Sequence, residues 1–264
     1  MNRYLIIFLV VVLSSCASKF AKVMKSTDYE YKYKMAESYY AAKKYNNAQV
    51  IYEELFPIFK GTARFEDLYF KYAYCAFYLR DYMNAENLFK TFVETFPNSA
   101  KAEEGDYMRA YCFFKQSPKP DLDQTSTMRA MGQMQAFINT HPGSAKIKEA
   151  TDIIDVSRAK LEVKEYKNAE LYYNLGYYKA AAIAFASLID NFLDSKSADE
   201  YKLMVIKSYY QYANMSVESK QAERYDKVVA ECIDFVDRFP ESKLVKAVNT
   251  YRAQSLNNIK STKP

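Results

Sequence analysis

One spacing recurs along this chain and constrains the fold more than any other feature. Tyr45, Tyr82 and Tyr178 each stand three residues before an alanine: Ala48, Ala85 and Ala181. Four residues beyond each alanine comes a ring (Tyr52, Phe89, Phe185), and three beyond that an apolar residue (Leu55, Phe92, Leu188). Upstream, Ala36, Ala73 and Ala169 each lie twelve residues before the same alanine. Steps of three and four place residues on one helical face. Small residues let two antiparallel helices approach closely, and the rings fill the space between them. One such hairpin cannot bury its own apolar face, but a stack of hairpins can.

Two further units fit with insertions between their helices. One carries Ala110, Ala130, Met134, Phe137 and Pro142, the other Ile206, Val228, Cys232, Phe235 and Pro240. With only five Gly and seven Pro, the chain lacks the turn signals of a sandwich or barrel. The pattern resembles the tetratricopeptide repeat. That resemblance implies an all-α chain: a right-handed superhelix of about five helix pairs over 28–242, with a C-terminal capping helix at 243–258. The expected segments are 1–15 as signal peptide, 16–27 as tether, 28–143 as units one to three, and 144–260 as units four and five with the cap. No Pro or Gly occurs from Ala145 to Leu175, so one long helix or two nearly continuous ones are expected there.

Three corners share an aromatic or His, then Pro, any residue and Ser, as in "FPNS", "HPGS" and "FPES". Ser99, Ser144 and Ser242 are therefore expected as helix N-caps, each worth about 1 kcal/mol. Leu193 replaces Pro in the fourth unit, which predicts a less sharp corner. His141, the single histidine, occupies the place of Phe96 and Phe239 and reads as structural.

The N-terminus reads as an address. Leu5 to Leu13 is an apolar run after Arg3, too short to span a bilayer core of roughly 30 Å and suited to a secretory signal. Leu13-Ser14-Ser15-Cys16 resembles the bacterial lipobox, which implies acylation of Cys16. Two or more acyl chains anchor a protein stably. Ala17, where an acidic residue would favour inner-membrane retention, points to the outer membrane. The absence of an acidic cluster after Cys16 points to its periplasmic face. Cys75, Cys112 and Cys232 cannot all pair, lie at no metal-ligand spacing, and read as small core residues.

A formal charge of +5 is spread in interleaved runs such as "YEYKYKMAESYYAAKKY". Interleaving makes solvated helix faces and gives no stripe for nucleic acid. One histidine, no Gly-rich phosphate loop and no HExxH leave no basis for an enzyme, a cofactor or a metal site. The carboxylate pairs Glu53-Glu54 and Glu103-Glu104 are adjacent on helices and point to different sides.

The region 96–192 sharpens the resemblance. Its Phe-Pro-x-Ser and His-Pro-x-Ser corners, Arg158, Leu161, Glu165, Ala169, Tyr172-Tyr173, Tyr178 and Ala180-Ala181 are similar to the BamD family. Five tetratricopeptide units behind a lipobox are also that family's layout. The resemblance implies a lipid-anchored scaffold of the outer-membrane β-barrel assembly (BAM) complex. Its C-terminal half would bind the POTRA domains of a BamA-like insertase, and its N-terminal units would receive unfolded outer-membrane proteins. Another periplasmic tetratricopeptide lipoprotein, serving cell-wall or secretion machinery, stays open as an alternative.

On the first helix of each unit one stripe is expected to pack: Met35, Ala36, Tyr39; Tyr72, Ala73, Ala76; Ala110, Phe113; Ala169, Tyr172; Val205, Ile206, Tyr209. Arg109 and Asn168 are polar where apolar residues are usual. A second stripe, at i, i+4, i+7, reads Tyr33, Glu37, Tyr40; Phe70, Tyr74, Phe77; Tyr107, Tyr111, Phe114; Tyr166, Glu170, Tyr173; Leu203, Lys207, Tyr210. Tyrosine offers contact area at low entropy cost and a polar tip. Tyr33, Tyr40, Phe70, Tyr74, Phe77, Tyr107, Tyr111 and Tyr173 are therefore candidates for a peptide groove. The other reading has these rings packing between neighbouring repeats. Tyr172 is expected in the core and Tyr173 on the groove wall, with Tyr177 and Tyr178 at the turn.

Overall fold

The computed structural model describes residues 19–261, and among them no residue is in a strand. A helical segment covers 19–24. Then follow α1 Tyr29–Ala41, α2 Tyr45–Phe59, α3 Ala63–Tyr78, α4 Tyr82–Thr95, α5 Ala102–Gln116, α6 Thr125–Thr140, α7 Ile147–Asn174, α8 Tyr178–Asn191, α9 Ala198–Asn214, α10 Glu218–Arg238 and α11 Val245–Ser261. The chain is all-α, and its tetratricopeptide-like hairpins are α1–α2, α3–α4, α5–α6, α7–α8 and α9–α10, with α11 last.

The repeat register is the buried register. Ala36, Ala73, Ala110, Ala169 and Ile206 are buried on the first helices; Ala48, Ala85, Ala130, Ala181 and Val228 are buried on the second. Behind them Tyr52, Phe89, Met134, Phe185 and Cys232 fill each hairpin. At Gly105, α5 comes so close to α4 that a Cβ would meet Val93 Cγ2 at 2.8 Å. Arg109 is accommodated by Glu86, 3.0 Å from its Nε, while Asn168 is exposed. Tyr172 departs from the packing stripe and is 45% exposed. In its own unit the core forms through Tyr166, Ala169 and Tyr173, the positions that Phe70, Ala73 and Phe77 hold in the second hairpin.

The turn inside the hairpin has one geometry in three units. Lys43, Arg80 and Gly176 have φ of 57°, 65° and 80°. The next residue's N–H, from Lys44, Asp81 and Tyr177, reaches back to the carbonyls of Tyr39, Ala76 and Tyr172. This satisfies carbonyls that a helix end leaves open. Glycine adopts this backbone freely, whereas a residue with a Cβ gives up roughly 1 kcal/mol.

The corner between hairpins repeats even more closely. The oxygens of Ser99, Ser144, Ser195 and Ser242 each accept the N–H two residues on. Each hydroxyl donates to a carboxylate on its own unit's first helix: Glu66, Glu103 and Asp199 in the first turns of α3, α5 and α9, and Glu162 midway along the longer α7. These serines thus close a tight turn ahead of the helix and pin it to the preceding one. They are not N-caps: the N-cap of α5 is Lys101, two residues past Ser99. Leu193 does not blunt its corner, because Phe192 sits at φ −129°, ψ 62° and Phe96 at −125°, 58°. His141 holds its corner through Asp106, 3.0 Å from Nε2, with the Phe137 ring centroid at 5.0 Å.

The chain divides into two compact units. The first runs to Pro118 and adds Asp123–Ser157; the second comprises Lys119–Leu122 and everything from Arg158. The division falls inside α7, one continuous helix of 28 residues.

Candidate functional site

In the first unit the first helices carry aromatic residues near their ends, and α2 and α4 begin with Tyr45 and Tyr82. The turn geometry brings these ends together. Tyr40 meets Tyr45 at 5.7 Å between ring centroids, and Tyr45 stacks on Tyr78 at 4.4 Å. Tyr78 stacks on Tyr74 at 5.6 Å and lies against Phe77 at 5.7 Å. Phe77 continues to Tyr82 at 5.5 Å and to Tyr111 at 5.9 Å, and Tyr111 to Phe114 at 5.9 Å. The result is a ladder of touching rings along three hairpins, most of them half-buried. Lys115 stands over Tyr82 and Tyr111, 5.9 Å from each ring. Burial raises the pKa of Tyr40 and Tyr78, and burial followed by a hydrogen bond to Glu104 raises that of Tyr74. These phenols therefore stay protonated and keep their polar tips as donors.

The expected groove residues fall into two groups. Tyr40, Tyr74, Phe77 and Tyr111 belong to the ladder. Phe70 and Tyr107 are core instead, 6% and 2% exposed. Their reason lies in the next unit: Lys101, just before α5, stands 5.5 Å over Phe70, and Lys146, just before α7, stands 4.3 Å over Tyr107. Tyr33 is half-buried against Phe59 at 5.5 Å, with Arg64 over its ring at 5.6 Å. The ladder also contains Tyr45, Tyr78 and Tyr82, which a wheel drawn on the first helices alone does not select. The signal for two of them was the repeat itself, whose tyrosine opens α2, α4 and α8.

The second unit has a different surface. Tyr173 lies half-buried against Tyr178 at 5.3 Å. Beside them Gly176, Tyr177, Tyr178, Lys179, Ala180, Ile183 and Tyr212 line an open, mostly apolar cleft of about 420 Å³. Lys179 and Tyr212 also border a second hollow with Lys220, Glu223, Arg224 and Lys227. Arg224 stacks 4.1 Å over Tyr212 and Lys227 stands 5.6 Å over Tyr209. An apolar floor with a cationic rim suits an aromatic or aliphatic anchor carried on a segment with carboxylates. Sequence reasoning treated Tyr177 as a turn residue and missed this cleft.

Among the described residues no group of three or more His, Cys, Asp and Glu is placed to hold a metal. Among the same residues no helix is long and apolar enough to cross a membrane. Cys16, the expected lipidation site, and the signal peptide before it lie outside the described residues.

Comparison with known proteins supplies the family. A family model, YfiO, described as outer membrane lipoprotein, matches residues 25–227. A similar solved structure is the TPR2AB-domain–pHSP90 complex of yeast Sti1, with 11% identity, 86% of this chain and 98% of that chain covered, and a TM-score of 0.39. Curated proteins give no match.

Proposed function

Because the chain belongs to the YfiO family of outer membrane lipoproteins, the family to which its BamD resemblance points, we propose that it is a non-enzymatic scaffold of the outer-membrane β-barrel assembly machinery. Acylated Cys16 anchors it, and the folded body faces the periplasm. The second unit seats a POTRA domain of a BamA-like insertase. The first unit receives unfolded barrel segments along its aromatic ladder.

The observation that carries this reading is that one skeleton bears two surfaces of different chemistry. The ladder of Tyr40, Tyr45, Tyr74, Phe77, Tyr78, Tyr82 and Tyr111 offers contiguous rings, six of them phenols with a polar tip. An extended chain rich in aromatic residues and unpaired backbone carbonyls is what such a surface binds. The cleft at Tyr177 and Ile183, with its cationic rim, instead suits a folded partner presenting an anchor and acidic groups.

Two measurements test it. Affinity purification of the lipidated chain from membranes should recover a POTRA-bearing barrel protein, and Ile183→Glu should abolish that recovery. Depletion of the chain that leaves barrel proteins at normal outer-membrane levels would overturn the reading. For the ladder, Tyr78→Ala should weaken binding of an aromatic-ended barrel peptide by about tenfold, the scale of one lost ring contact. Tyr78 is exposed, so the variant keeps its fold, and unchanged affinity in it would remove the ladder from the mechanism.

A further inference from the structure

From Cys16 to Thr27 the sequence carries Lys19, Lys22 and Lys25 and no carboxylate. Spacings of three place these lysines on neighbouring positions of one helical face. All three are exposed. The opposite face is fixed: Val23 is buried, and Phe20 meets the Tyr39 ring edge-on at 5.9 Å. Met24 packs into the same core as Ile51, Leu55 and Leu68. The lysines therefore project from a segment docked on the first hairpin.

Lys22 and Lys25 border a cleft of about 510 Å³ with Ala21, Ser26 and Tyr31. The Ser26 oxygen accepts the Asp28 N–H at 3.1 Å, which leaves its own proton free to donate. Asp28, the first acid in the segment, is turned to its helix, accepting the Tyr31 N–H at 2.9 Å. Two ammonium groups and a hydroxyl in one hollow, with no carboxylate among its lining residues, make a donor set for a phosphodiester.

We propose that this cleft takes the headgroup phosphate of an anionic phospholipid in the leaflet that holds the acyl anchor, and so orients the folded body on the membrane. The proposal rests on the reading of Cys16 as the acylated residue. Three peptide steps separate Cys16 from Lys19, a span of at most about 11 Å. Whatever path the chain takes, the lysines stay close to a surface whose field decays over roughly 8 Å at physiological salt. A lysine near an anionic surface strengthens partition about fivefold, and three of them about a hundredfold.

The test uses the mature chain with Cys16→Ser, so that acyl insertion does not mask the headgroup contribution. The probes are phosphatidylcholine vesicles with and without phosphatidylglycerol, read by co-flotation. Binding is expected only with phosphatidylglycerol, and should fall about a hundredfold in the triple variant Lys19→Ala, Lys22→Ala, Lys25→Ala. Removing the exposed Lys34, Lys60 and Lys196 instead should leave it unchanged. Inorganic phosphate should displace the chain no better than sodium chloride of equal ionic strength. Equal binding to both vesicle types, equal loss in the two triple variants, or selective displacement by phosphate would each overturn the proposal. Palmitate labelling of the unsubstituted chain tests acylation of Cys16 separately, so loss of the anchor and loss of the headgroup site are distinguishable.

Discussion

On α3 and α5 of the first unit the middle position beside the packing stripe carries Tyr74 and Tyr111; on α7 and α9 of the second the same position carries Glu170 and Lys207. Beneath them the buried residues match: Ala73, Ala85 and Phe89 in one unit, Ala169, Ala181 and Phe185 in the other. Turn and corner match as well, Arg80 with Gly176 and Ser99 with Ser195. What differs is confined to positions that the hairpin does not need for its own assembly. The fold is therefore carried by one set of residues, and the proposed choice of ligand falls to another. The two can vary without disturbing each other.

The strongest way to break this comparison is to attack the shared skeleton. Phe89→Ala and Phe185→Ala should each cost roughly 3–5 kcal/mol, as for fully buried aromatics elsewhere. Hydrogen exchange should show the loosening in α3–α5 for the first and in α7–α9 for the second. A much smaller effect in either unit would show that the two cores are not equivalent.

Next in size is charge, which both units bury: Lys32, almost wholly buried, pairs with Glu54 in the first, and Lys202 takes the same register position in the second. Lys202 is almost wholly buried and pairs with Glu231 and Asp234, whereas Lys101 pairs with Asp67 at the partly exposed surface. Lys202→Ala leaves the mostly buried Glu231 with Lys227 as its remaining partner and should cost about 2 kcal/mol in denaturant titrations. Lys101→Ala should cost less than about 1 kcal/mol. The same pair sets a pH dependence. Burial alone would raise the Glu231 pKa, but Lys202 and Lys227 outweigh it and hold it below the ordinary 4.5. The unfolded chain then binds this proton more readily than the folded one. The group's contribution is present above 4.5 and is lost as pH falls below that value towards the folded pKa. In Lys202→Ala this acid-sensitive part should shrink.

Smaller still are the turns. Gly176 has open space where a Cβ would go, so Gly176→Ala tests the backbone alone and should cost roughly 1 kcal/mol. Arg80→Gly relieves the same strain, offset by the freedom glycine adds to the unfolded chain, and should change melting by less. The smallest change should stabilise. Leu193→Pro restores the residue found at the other corners, on a backbone already suited to it, and should add about 0.5 kcal/mol.

Much of the skeleton is legible in the sequence because its signal is redundant. The alanine and ring spacing repeats, and each repeat checks the others, so every alanine of the register can be placed from spacing alone. The surfaces are legible only in part. A helical wheel shows which residues share a face, but Lys101 and Lys146 come from the next unit, and it is they that cover Phe70 and Tyr107. The ladder also needs Tyr45 and Tyr82 from the second helices, which no single-helix pattern includes. Ser195 escapes notice when the corner is read through its proline. The physical requirement is the hydroxyl and the acid that receives it. Tyr172 is misplaced by carrying the stripe of the earlier units onto α7: it stands where Ala76 is buried, yet is exposed, while Ala169 and Tyr173 beside it keep the earlier core contacts.

One consequence concerns the three unpaired thiols. Burial pushes Cys75 and Cys112 up to about 12 and Cys232 to about 11, from an ordinary 9.0. Only the thiolate attacks a disulfide, and at neutral pH burial leaves Cys75 and Cys112 with roughly a thousandth of the thiolate an open thiol would carry. The newly exported chain has no such protection, and an odd number of exposed thiols invites crosslinks that no later step in folding can use. On the proposed periplasmic side, where the surroundings oxidise thiols, survival would then depend on timing. Neighbouring hairpins must stack before an oxidant finds the thiols, since Cys75 packs with Tyr52 and Leu55 of the preceding hairpin, and contacts between elements adjacent in sequence allow that closure to be fast.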